Sequence, residues 1–133
     1  MGDAQAGEVI RFTIPSLPAS VNAIYQIIYS LRRVEMKPEV RSWKTKAKEY
    51  IPRFNTIPNT VLRVDTTFIY NWYYLNGKLR KFDTHNLLKV LCDAIAEKIG
   101  VDDSLMKEGS WRSIHSKVEE LVQVEVRQGE SSL

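Results

Sequence analysis

Between Arg80 and Asp103 the chain carries two sets of groups able to hold a cation or move a proton. Asp83, His85 and Asn86 fall within four residues of one another, and Asp102 and Asp103 form a second, acidic pair. Carboxylate oxygens suit Mg²⁺ or Mn²⁺, which need only a few protein ligands when substrate phosphates supply the rest. Lys89 stands between the two sets and could offset negative charge that builds on a phosphate. Each residue also has an ordinary role. Asp83 stands where a helix N-cap belongs, Asp102 or Asp103 can cap whatever begins at Ser104, and a helical lysine commonly lies along the surface. What sets the stretch apart is the combination: two acidic clusters flank one segment that itself carries His, Asn and Lys.

That segment must be a helix for the groups to share a side. At about 100° per residue, Leu87, Leu88, Leu91, Ala94, Ile95 and Ile99 cover one broad face of a helix from Thr84 to about Ile99. His85, Lys89 and Asp93 recur at i, i+4 and i+8 on the opposite side, with Asn86 beside them. Gly100 is a helix stop. A helix of about 15 residues is over roughly 20 Å long. Asp83 and Asp103 therefore cannot share one metal within a single copy unless the chain doubles back after Gly100. The short GVDD segment permits that reversal, and a second subunit is the other geometric route.

The remaining elements form the frame. Val9 to Ile14 alternates as a strand and is stopped by Pro15 and Pro18. Ala19 to Tyr25 reads as a loop carrying Asn22, and the apolar run Ile24 to Leu31 as a strand. Pro38 to Ile51 predicts a helix with Val40, Trp43, Ala47, Tyr50 and Ile51 at helical spacing and Arg41, Lys44, Lys46 and Lys48 on its other side. Val61 to Leu75 reads as one long strand before the Asn76-Gly77 turn. Tyr70, Trp72, Tyr73 and Tyr74 could stack on bases; on an alternating strand, core and cross-strand packing is the expectation. Ser104 to Met106 is a short turn, the span up to His115 carries no clear pattern, and the second half of Lys117 to Arg127 is a last strand. His115 is expected to be structural or exposed, and Cys92 a small core residue. This order predicts a small two-layer mixed α/β domain over residues 8–127, with flexible tails at 1–7 and 128–133.

Composition narrows the function classes. The 133 residues fit one domain, and no apolar run approaches the ~20 residues of a membrane span. The acidic start MGDAQAGE offers no secretory signal, and a single cysteine allows no internal disulfide, so a cytoplasmic protein is expected. A net charge of +3, with basic clusters at Arg32-Arg33, Arg41 to Lys48 and Lys78 to Lys81, is compatible with a polyanion or with solvated faces. No P-loop, dinucleotide fingerprint, HExxH or zinc-type cysteine spacing is present, so no small-molecule cofactor is expected.

The run DTHNLLKVLCDAI, followed by VDD, resembles the core of the RusA family of Holliday junction resolvases, whose pattern is D-x-D-N-x-x-K, then D-A-L, then a late D-D. IPSLPASVNAIY is similar to that family's proline-rich turn and Asn, and EVRSWKTKAKEYI to its first helix. The resemblance thus covers most of residues 9 to 126. It implies a small homodimeric α/β endonuclease, often of phage or prophage origin, that nicks four-way DNA junctions in symmetric pairs with divalent metal, in recombination and repair. By position it implies catalytic roles for Asp83, His85, Lys89 and Asp103, and metal ligation by Asp83, His85, Asp102 and Asp103. Asn86 and Asp93 match motif positions of less definite role. With DNA as substrate, Asn22, Asn86 and the basic cluster Lys78, Arg80 and Lys81 are the expected DNA contacts. His85 stands where the family has a second Asp, and Phe82 where a basic residue precedes the first. Imidazole in place of a carboxylate favours Mn²⁺ over Mg²⁺. Two other classes stay open: a junction-binding module that has lost cleavage, and a metal-binding regulatory protein that never meets DNA.

Overall fold

The computed structural model describes residues 9–17, 25–28, 33–81 and 84–128. Alternation of apolar and polar residues builds a mixed four-stranded sheet. Its strands are β1 (Val9–Ile14), β4 (Leu62–Tyr70), β5 (Met106–His115) and β6 (Leu121–Gln128), in the spatial order β1-β6-β4-β5. β6 lies antiparallel to both β1 and β4, whereas β4 and β5 run parallel. A parallel pair needs a long crossover, and helix α2 (Thr84–Ile99) supplies it. A separate antiparallel hairpin pairs β2 (Tyr25–Ile28) with β3 (Arg33–Met36).

One side of the sheet is the core. Leu62, Val64, Phe68 and Tyr70 of β4, Val122, Val124 and Val126 of β6 and Ile14 of β1 are buried in one cluster with residues of both helices. Helix α1 (Pro38–Ala47) contributes Val40, Trp43 and Ala47; α2 contributes Leu87, Val90, Leu91, Ala94 and Ile95. Burying each large aliphatic side chain stabilises the fold by about 1.5–3 kcal/mol, so the apolar stripe of α2 fixes which of its sides faces water. The other side of the sheet is open and polar, with Arg11 paired to Glu125 and Arg63 to Asp65.

Several elements differ from their sequence expectation. α1 ends at Ala47 rather than Ile51, because Lys48 to Tyr50 turn away, and Lys98 of α2 donates its Nζ to the Lys48 carbonyl at 2.7 Å. β4 stops at Tyr70 instead of reaching Leu75. β3 and β5 are additional strands. β5 approaches β4 so closely that a Cβ at Gly109 would lie 2.1 Å from the Val64 carbonyl oxygen, which leaves only glycine there. β6 continues through Gln128, which is buried and joins the 52–60 loop: its Oε1 accepts from the Ile57 N–H at 3.0 Å, and its Nε2 donates to the Asn55 carbonyl.

Candidate nuclease site on α2

The reversal after Gly100 is present. Gly100 adopts φ +73°, the N–H groups of Gly100 and Val101 both bond back to the Ala96 carbonyl, and a short 3₁₀ turn follows at Asp103–Leu105. Such a left-handed C-cap is the usual way to end a helix and send the chain back along it. Asp102 caps the 3₁₀ turn, its carboxylate accepting from the Ser104 N–H at 2.8 Å; that bond holds its carboxyl below the usual carboxylate range. Asp102 thus plays the capping role open to it from the sequence.

Asp103 is thereby carried back to the polar side of α2. It lines a shallow depression with Lys44, Asp93, Ala96, Glu97, Val101 and Asp102. Burial pushes the Asp93 carboxyl up; Lys44 and Lys89 oppose that, while Asp103 and Glu97 add to it. Burial likewise pushes the Cys92 thiol up to about 11, helped by the charges of Asp93 and Asp103, so Cys92 is a protonated, mostly buried thiol rather than a nucleophile. A carboxyl pushed up by burial and by a neighbouring carboxylate is one whose charge a divalent cation would relieve. The helix row His85, Lys89, Asp93 therefore gains Asp103 at its far end. Among the described residues no three His, Cys, Asp or Glu side chains converge as a metal cage.

At the head of the row, exposed His85 meets Trp111 of β5 edge-on, ring centroids 5.3 Å apart. Along α2 the rise from His85 to Asp93 is about 12 Å. Lys89, on the exposed side, lies between. Asn86 is half-buried at the same end. Asp83 and Asn22 lie outside the described residues.

The expected basic contacts sit on the hairpin Asn71–Lys81, between β4 and α2. Lys78 and Lys81 are exposed, whereas the Arg80 guanidinium donates to the Asn71 carbonyl at 2.9 Å and lies 6.0 Å over the Tyr70 ring. Of the four aromatics placed on a long strand by the sequence, Tyr70 is core and Trp72 half-buried, but Tyr73 and Tyr74 are exposed. The core reading fails for these two because the strand ends before them. His115 is structural: its Nδ1 accepts the Trp72 N–H at 3.2 Å, and its ring stacks against Trp72 and Tyr73.

Sequence reasoning missed Lys44, Glu97 and Trp111. Lys44 belongs to the basic side of α1 and pairs with Glu97 of α2, a contact between helices that no local spacing reveals. A larger cleft lies elsewhere, on the open sheet face among Arg11, Thr13, Asp65, Thr67, Ser110 and Arg112. Its acids are already paired with arginines, and none of the α2 row reaches it.

No helix among the described residues is long and apolar enough to cross a membrane. Comparison with curated proteins finds none that matches the chain. The family model for endodeoxyribonuclease RusA matches residues 17–127, which takes in both helices, the hairpin, the α2 row and Asp103. The chain belongs to the RusA endodeoxyribonuclease family.

Proposed function

We propose that the protein is a divalent-metal-dependent endonuclease that resolves four-way DNA junctions by paired, symmetric nicks. Family membership supports the reaction class, and the observation that carries the site is the return of Asp103 to Asp93 after Gly100. The proposed ligand positions are Asp83, His85, Asp102 and Asp103, with Asp93 added to the set by its place beside Asp103; because about 12 Å of helix separates His85 from Asp93, the head group (Asp83, His85) and the far group (Asp93, Asp102, Asp103) meet at one ion only if a second copy brings them together. Their oxygens suit Mg²⁺ or Mn²⁺, and the His85 nitrogen tilts the choice towards Mn²⁺. When bound, such an ion supplies a water acidic enough to attack a phosphodiester and offsets the charge that builds on it.

The chain's own groups orient and neutralise. Lys89 faces the phosphate and balances its extra negative charge. Asn22, Asn86, Lys78 and Lys81 contact the DNA backbone, and Arg80 holds the hairpin that carries the lysines. Two cuts related by symmetry call for two copies of the site, hence a homodimer.

The test is nicking of a four-way junction against linear duplex, in Mg²⁺ and in Mn²⁺, by the wild type and by Asp103→Asn. The expected outcome is junction-selective nicking by the wild type and its loss, about a hundredfold or more, in the variant. Junction affinity should be unchanged or raised, since a negative charge near phosphate is gone. Retention of the full rate removes Asp103 from the site. Sedimentation that gives only a 15.4 kDa species, with and without junction, removes the homodimer.

One observation favours a second reading. His85 replaces a family carboxylate and packs on Trp111, as a residue released from metal binding would. A junction-binding module without cleavage would then show selective binding and no nicking in either metal.

A further inference from the structure

Asn71 to Lys81 has the sequence NWYYLNGKLRK, an Asn-Gly turn flanked by large apolar residues instead of the small polar ones that most solvent turns carry. The hairpin is well ordered by hydrogen bonds. The Tyr74 N–H donates to the Lys78 carbonyl at 2.8 Å, the Arg80 N–H to the Trp72 carbonyl at 2.7 Å and the Gly77 N–H to the Tyr74 carbonyl at 2.9 Å. Asn71 and Asn76 accept the Tyr73 and Lys78 N–H groups on their side-chain oxygens, and His115 anchors the root. Gly77, at φ +82°, makes the turn.

Beyond the contact of Tyr73 with His115, the fixed tip is left largely uncovered by the described residues. Tyr73 is 43% exposed, Tyr74 53%, Leu79 63% and Leu75 fully exposed, and these are four of the nine large hydrophobics exposed among the described residues. Apolar surface concentrated on a rigid protrusion marks a contact site. Its charge is one-signed: Lys78, Arg80 and Lys81 are present, and no acidic residue occurs between Asp65 and Asp83. A surface of aromatic and aliphatic groups with cations and no acids fits a polyanion that offers flat apolar faces. The hairpin also adjoins the head of the site. Its root rests on His115, and Trp111, which carries His85, is four residues away on the same face of β5, about 13 Å along the strand.

We propose that this hairpin is a wedge for the branch point of junction DNA: Leu75 and Tyr74 pack against bases unstacked where strands exchange, and Lys78 pairs with a flanking phosphate. The inference rests on the junction-endonuclease reading and adds to it the element that tells a branch from continuous duplex. Apolar side chains entered between base steps are most favourable where stacking is already broken, so the selectivity arises from the DNA's own weak point.

The experiment uses a four-way junction with 2-aminopurine at the branch nucleotides, titrated without divalent metal. The wild type should raise the probe's fluorescence as bases unstack. Leu75→Ser combined with Tyr74→Ser, both at exposed positions, should abolish the rise and weaken junction binding by about tenfold or more, with duplex affinity unchanged. Tyr50→Ser, an exposed aromatic change elsewhere, should alter neither. Equal fluorescence and affinity in the double variant overturn the wedge while leaving the endonuclease reading intact. So does conversion of a wild-type dimer to a monomer by the same changes, which would assign the tip to a second copy of the chain. A wild type that does not distinguish junction from duplex overturns both.

Discussion

The two ends of α2 are built on different principles. The far end is electrostatic and tightly tied to its surroundings: Asp93, Asp103 and Glu97 share a depression, Lys44 of α1 and Lys48 just after it pair with Glu97, and Lys98 caps α1. The head end is aromatic and open: His85 on Trp111, Tyr73 and Trp72 on His115, and a projecting hairpin. A helix that holds charge at one end and flat surface at the other suits a substrate that presents phosphates and bases together. The far end has the rigidity to place acids, and the head end has the exposure to meet DNA.

The sharpest way to break this contrast is at His85, where aromatic contact and metal ligation would coincide. His85→Ala should depress nicking in both metals, and His85→Asp should raise the Mg²⁺ rate relative to Mn²⁺. His85→Phe separates the two roles, because it keeps a ring on Trp111 without a donor atom. A Phe variant as active as wild type assigns His85 to the aromatic end alone; one as weak as Ala makes it a ligand.

A smaller effect is expected at the far end from Gly100→Ala. The added Cβ meets nothing within 4 Å, so the change acts only through the left-handed backbone, at about 1 kcal/mol. Melting should fall by several degrees. Nicking at a temperature where the variant is fully folded should fall further than stability explains, since the cap aims Asp103. A lowered melting point with an unchanged rate would show that the reversal serves the fold alone.

The smallest effect is a control from the open face of the sheet, remote from both ends. Burial acts to raise the Asp65 carboxyl, but bonds from the Ser110 hydroxyl and the Arg63 guanidinium outweigh it and hold it below the usual range. A carboxyl depressed in the folded state stabilises above its unfolded value of about 3.9 and loses that contribution as pH falls through the folded value. Asp65→Asn should therefore cost about 1 kcal/mol at neutral pH, with the difference from wild type shrinking as the pH falls below the unfolded value of about 3.9. Denaturant melts at neutral pH and below that value check this, and nicking should not change. A loss of nicking would tie the open face to the site.

What could be read in the sequence follows from how locally each feature is specified. α2 was legible to its limits because an apolar stripe, a polar row and Gly100 all speak within one segment. The reversal was legible as a possibility, and its outcome, Asp103 beside Asp93, required the turn geometry. β5 was not legible: as an edge strand it leaves Lys107, Gly109, Ser110, Trp111 and Arg112 exposed, so the alternation that betrays a half-buried strand is missing. The end of β4 was misplaced because Tyr and Trp favour strands by residue type, whereas here they leave the sheet as a hairpin. Lys44 was invisible as part of the site because its partner lies on the other helix, more than fifty residues along the chain.

The strand order has a consequence for synthesis. β6 sits between β1 and β4, yet it is made after both, and after α2 and β5 as well. A nascent chain that stops before Leu121 has β1 without its sheet partner and β4 paired on one edge only. The floor on which α2 rests is then half built, with Val122, Val124 and Val126 missing from the core. Domains fold as units during translation, once their last required piece has emerged. For this fold the piece is the final strand, so a ribosome carrying an unfinished copy presents the α2 row without the sheet that holds it in place.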